Sequence, residues 1–109
     1  MRRGELWSAA TGSGFGSKPR PVLILQADAF NEAPNIIVAL LTSVSDGEQS
    51  LRPRIGPDTI NNLLDPSLVQ IDILVTVPRQ KFGSLIGRLT ERDQGRVDHA
   101  LLAYLGFAN

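Results

Sequence analysis

Two unbroken apolar runs stand out along the chain, Val22-Leu23-Ile24-Leu25 and Ile36-Ile37-Val38-Ala39-Leu40-Leu41. Runs of this length bounded by turn residues suit buried strands, since a core helix needs a longer segment. They predict strands over Arg20 to Gln26 and Ile36 to Leu41. The polar turn Asp28 to Asn35 between them is short, so the two strands should be antiparallel. Upstream, Glu5-Leu6-Trp7-Ser8 reads as a first strand, and residues 10–19, ATGSGFGSKP, as a Gly/Ser loop. Downstream, Asp46-Gly47 marks a turn, and Leu51 to Ile55 alternates. Pro53 makes that stretch an edge strand, because proline cannot donate to a ladder.

Residues 56–66 read as an irregular connection. Ser67 to Val77 is rich in β-branched and aliphatic residues, so it predicts one strand, or two short ones bending near Asp72. Ser84 to Leu89 is a further short strand. Thr90 suits a helix N-cap, with Asp93 three residues on. Val97, Leu101, Tyr104 and Leu105 then recur at helical spacing, and Gly106 suits the stop. The helix should run from 91 to 105. The order β-β-β-β-β(-β)-α predicts a mainly β fold, a small barrel of five or six strands covered by one C-terminal α-helix.

The 109 residues fit one domain over 1–109. With no Cys, the chain has no disulfide, thiol nucleophile or Cys-ligated metal. One His and scattered carboxylates give no ligand set, so neither a metal nor another cofactor is expected. No apolar run approaches the roughly 20 residues of a membrane span, and a cytoplasmic location is expected. Formal net charge is zero, so bulk electrostatics do not announce nucleic acid. Nine of the eleven cations are Arg, whose planar fork matches phosphate. A GC-rich genome would produce the same excess.

The order of short blocks carries more. MRRGELW is followed by the Gly-rich loop, then RPVLILQADAFN, a strand ending LLTSV, PSLVQ, TVPRQKF and IGRLT before the helix. This series resembles the MazF/PemK toxins of bacterial toxin–antitoxin systems over nearly the whole chain. The resemblance implies an SH3-like barrel of the CcdB/PemK kind and a homodimer. It also implies a metal-independent endoribonuclease that cuts single-stranded RNA at short motifs and halts translation. Its partner would be a cognate MazE-like antitoxin whose disordered C-terminal segment blocks the RNA groove. Two matching positions carry the family's function, Arg20 and Thr42, with Ser43 beside the latter. Two stretches depart from the family's pattern. The first loop reads GSGFGSK where many relatives have Gly-x-Glu-Gln. Ile73, Leu74, Val75 and Thr76 replace a polar Gln-x-Arg-Thr, which points to a more apolar base pocket or an altered target.

The chemistry can be argued without the family. Pro19 and Pro21 hold Arg20 extended on both sides, at the mouth of an apolar strand. RNA cleaves itself when its 2′-hydroxyl lies in line with the phosphorus. An enzyme helps remove that proton, neutralises the phosphorane oxygens and protonates the leaving 5′ oxygen. A His pair usually does this, but the only His here, His99, reads as a helix-surface residue. Guanidinium stays protonated, so Arg20 suits a fixed fork on a phosphate that gains charge in the transition state. Thr42 or Ser43 would donate a second hydrogen bond. If the two apolar strands are antiparallel, Arg20 and Thr42 meet at one end of the barrel.

The alternative for Arg20 is a strand-end salt bridge with Asp28 or Asp72. Phe15 and Lys18 are candidates to stack on and steer RNA. Arg52, Arg54, Arg79 and Lys81 would line a backbone-binding groove, or simply solvate strand edges. Trp7 suits the core or a dimer interface. Two other functions fit the same barrel. One is a CcdB-like gyrase poison, which the ending Leu105-Gly106-Phe107-Ala108-Asn109 partly echoes. The other is an inactive relative that only binds antitoxin, which the apolar Ile73 and Val75 suit.

Overall fold

The computed structural model describes residues 1–11, 18–44 and 51–108. Six strands form one sheet: β1 (Glu5–Ala9), β2 (Arg20–Ile24), β3 (Asn35–Ser43), β4 (Arg54–Ile55), β5 (Ser67–Pro78) and β6 (Phe82–Arg88). The helix α1 (Glu91–Tyr104) follows. The strand order is β4-β5-β3-β2-β1-β6, with each neighbouring pair antiparallel. The two apolar runs pair at the centre, with Val22 opposite Leu40 and Ile24 opposite Val38.

The sheet centre is covered on both faces, which suits two nearly continuous apolar runs; Ile37, near the start of β3, is exposed. Leu23, Ala39 and Val69 point to one face, where α1 seals them with Val97. Val22, Ile24, Val38 and Val77 point to the other, where the sheet curls over itself. Met1, Trp7 and Phe82 fill the rim of that second core. The Trp7 and Phe82 rings meet edge to face, with centroids 6.3 Å apart. Trp7 also donates its indole N–H to Glu5 at 3.0 Å.

Three expectations are sharpened. The edge strand β4 has only two residues, not the five of Leu51 to Ile55. Pro53 offers no donor, and its carbonyl accepts from Val69 N at 2.9 Å. The Ser67 segment is one long strand, and its ladder with β3 breaks in the middle. Val69 stands opposite Leu41 and Leu74 opposite Ala39, so residues 70–73 face a single residue. This bulge lies at the bend expected near Asp72, and such insertions increase the local curl. The helix ends one residue earlier than expected, through a Schellman cap. Gly106 N donates to Ala103 O and Phe107 N to Leu102 O, with Gly106 at φ +86°. At its start, the Thr90 hydroxyl accepts from Asp93 N at 3.2 Å, as the spacing predicts.

The sheet remains open between β4 and β6, and residues 56–66 bridge the gap. Arg88 N donates to Ile60 O at 3.1 Å, and Asn62 Nδ2 to Ile86 O at 2.9 Å. Asn61, fully buried, fastens this connection from within. Its Oδ1 accepts from Asp58 N and Leu63 N, and its Nδ2 donates to Gly56 O. A buried amide is tolerated there because its hydrogen bonds are satisfied.

The N-terminus is fastened as well. Arg3 donates from its backbone to Asp28, from Nε to Leu25 O, and from both terminal nitrogens to Asp98 on α1.

Candidate active site

The start of β2 and the end of β3 share one rim of the sheet. Extending the β2–β3 register two residues past Val22 and Leu40 sets Arg20 opposite Thr42. On its far side Thr42 pairs with Leu68, and Ser43 with Ser67. The rim opens into a cleft of about 800 Å³ whose polar lining includes Arg20, Thr42, Ser43, Asn62, Asp65 and Gln70. Leu40, Leu63 and Ile86 supply apolar wall.

Arg20 is exposed, and its guanidinium has no hydrogen bond or ion pair among the described residues. The carboxylates considered as its salt-bridge partners are engaged elsewhere. Asp28 accepts from Arg3 N at 2.6 Å and lies 3.9 Å from Arg2. Asp72 receives two bonds from Arg52, each 2.9 Å. The Arg52 fork holds the Asp72 carboxyl below its usual range. Asp98 is shifted the same way. Burial opposes its charge, but hydrogen bonds from Arg3 and Gln94 outweigh it. Arg20, the cation framed by two prolines, is thus left without an internal partner among the described residues.

The other candidates are scattered. Phe15 lies outside the described residues. Lys18 is exposed two residues before Arg20. Ala9 pairs with Arg20 on one side and Phe82 on the other, which sets Lys81 near the same rim. Two strand spacings separate them, about 10 Å. Arg52 and Arg79 do not line the cleft: Arg52 holds Asp72, while Arg79 donates to the carbonyls of Asn31 and Ala33 at the opposite end of β3. Arg54 is exposed in β4, and His99 is exposed on α1.

Val75 packs against the second core, and neither it nor Ile73 lines the cleft. An apolar base pocket built from those two positions is therefore not part of this cleft. Asn62 and Asp65 escaped the sequence reading, which passed over residues 56–66 as irregular, and Gln70 was read only as part of the strand Ser67 to Val77. The signal was present in Asp58-x-x-Asn61, whose side chains each cap the other's backbone. Among the described residues, no three His, Cys, Asp or Glu side chains cluster to hold a metal.

Chemically, the rim offers a fork-shaped cation, two hydroxyls, one carboxylate and an uncommitted amide around an apolar wall. This combination can hold one phosphate and the organic groups next to it.

The chain is 41% identical to a probable endoribonuclease MazF of Mycolicibacterium smegmatis over 108 residues, 99% of both chains. It is 35% identical to the probable endoribonuclease MazF2 of Mycobacterium tuberculosis over 91 residues, 83% of each. Among solved structures, the Mycobacterium tuberculosis toxin MazF-mt6 superposes with a TM-score of 0.79 at 24% identity, covering 96% of this chain and 99% of that one. A mycobacterial endoribonuclease in complex with its cognate antitoxin gives 0.79 at 20% identity, covering 100% and 98%. Both share the curled sheet and terminal helix expected from the sequence. Residues 2–105 match one family description, and the chain belongs to that family, the PemK-like, MazF-like toxins of type II toxin-antitoxin systems.

Proposed function

We propose how this MazF-like endoribonuclease toxin works. Arg20 and Thr42 hold one phosphodiester of single-stranded RNA in the cleft, and the neighbouring 2′-hydroxyl attacks it. The 2′ oxygen gives up its proton to solvent as it bonds to phosphorus, the bond to the 5′ oxygen breaks, and the leaving oxygen takes up a proton from solvent. The products are a 2′,3′-cyclic phosphate and a 5′-hydroxyl.

The observation that carries this reading is Arg20, uncommitted and restrained, beside two hydroxyls at an open cleft. Its fork neutralises the charge that grows on the phosphoryl oxygens. The Thr42 hydroxyl donates to the same group, with Ser43 beside it. Lys18 and Lys81 flank the rim and attract the backbone on either side. The RNA would span two copies of the chain. A cognate antitoxin, a disordered acidic segment by its chemistry, would compete for the same rim. No helix among the described residues is long and apolar enough to cross a membrane, and we place the toxin in the cytoplasm with its substrate.

The test is incubation of the purified protein with unstructured RNA in EDTA, followed by end-group analysis. Fragments with 5′-hydroxyl ends are expected, and Arg20→Ala should remove them. Full cleavage by that variant would overturn the mechanism.

A further inference from the structure

We propose that Gln70 is a specificity-determining residue, whose side-chain amide reads one unpaired base next to the phosphate held by Arg20. This inference rests on the nuclease reading above and adds to it a role for a residue that takes no part in the chemistry.

Gln70 is the first residue of the β5 bulge, where four residues stand against one of β3. Bulges beside sites re-aim side chains that a regular ladder would place elsewhere. This one sets Gln70 in the cleft that holds Arg20 and Thr42. Gln70 is half-buried, and its amide has no hydrogen-bond partner among the described residues.

The other polar groups nearby are less suited. Asn62 is tethered through one of its two amide N–H groups to Ile86 O, which fixes its orientation, and Ser67 gives its hydroxyl proton to Asp65 O. Asp65 as a carboxylate only accepts. Gln70 thus offers a donor and an acceptor side by side with neither committed. The two match the paired donor and acceptor on a base edge, adenine's N6 and N7 above all. Leu40, Leu63 and Ile86 supply apolar surface for the face of the same base. Unpaired bases are recognised in this way, by packing on the face and hydrogen bonds along the edge.

The experiment sequences the 5′-hydroxyl ends released from total RNA by the wild type, Gln70→Met and Gln70→Glu. Met keeps length and flexibility without polar edge groups, and thermal melting confirms that each variant is folded. The wild type should favour one base, adenine by the match above, at a position adjoining the cut. Q70M should still cut RNA but lose roughly 5- to 150-fold of that discrimination, with other positions unchanged. Q70E, which can only accept, should shift the preference toward cytosine, whose N4 donates.

Unchanged base preference in Q70M would overturn the inference, as would an equal loss of rate at every site. A wild type that releases no ends removes the nuclease reading and this inference with it. A wild type that cuts beside an unaltered Q70M profile overturns this inference alone.

Discussion

Gly87 lies hard against the backbone of Asn61: a Cβ built on it would sit 2.5 Å from the Asn61 carbonyl oxygen. The Ile60 carbonyl oxygen would be 2.6 Å away. Neither atom can swing aside as a flexible side chain would. The contact falls where residues 56–66 close the open edge of the sheet, between the bonds at Ile86 and Arg88. Gly87→Ala should therefore destabilise the fold by about 1–3 kcal/mol, read from urea denaturation. It should also slow RNA cleavage, because Asn62 and Ile86 line the cleft.

Arg20→Ala removes a group that nothing in the described fold leans on. Stability should stay within about 0.5 kcal/mol of wild type. Cleavage of an unstructured oligonucleotide should fall about 10²- to 10³-fold. Arg20→Lys keeps the charge but loses the planar fork, so it should recover only part of that rate. Equal rates for Lys and Arg would mean that charge alone suffices there.

Thr42 stands opposite Arg20, whereas Ser43 lies one residue beyond. Thr42→Val keeps shape and removes the hydroxyl, so kcat should drop about tenfold, the worth of one charge-assisted hydrogen bond. Ser43→Ala should cost less. Single-turnover kinetics with saturating RNA separates the chemical step from binding.

Arg52 with Asp72 and Arg3 with Asp98 set the behaviour in acid. Both carboxyls are held below the ordinary value of 3.8, so the folded state keeps them charged after the unfolded chain protonates them. Their contribution is complete above 3.8 and is lost as pH falls through the lowered folded values. The Arg3–Asp98 pair is about one-third exposed on each side, which limits its worth to about 1 kcal/mol or less. Asp98→Asn should lower the urea midpoint at pH 7. The gap to wild type should close as the solution is acidified below 3.8.

What the sequence revealed follows from the range of each cause. The strands at Val22 and Ile36, the Thr90 cap and the Gly106 stop depend on neighbours within a few residues. The meeting of Arg20 and Thr42 needed only one inference, that a short turn makes its flanking strands antiparallel. The partners of Arg52 and Arg79 lie 20 and 48 residues away in the chain, at Asp72 and Asn31. Composition shows that such cations exist, and only the assembled sheet shows where they are spent. The bulge that aims Gln70 was equally hidden, because β5 carries three extra residues only relative to β3. The wall built by residues 56–66 depends on hydrogen bonds to β6 that no local pattern announces.

The first strand pairs with the sixth, Glu5 opposite Arg88, and Arg3 grips Asp98 near the far end of the chain. A growing polypeptide therefore cannot lock its opening residues until β6 and the part of α1 that carries Asp98 have been synthesised, so the two edges of the N-terminal segment are settled last.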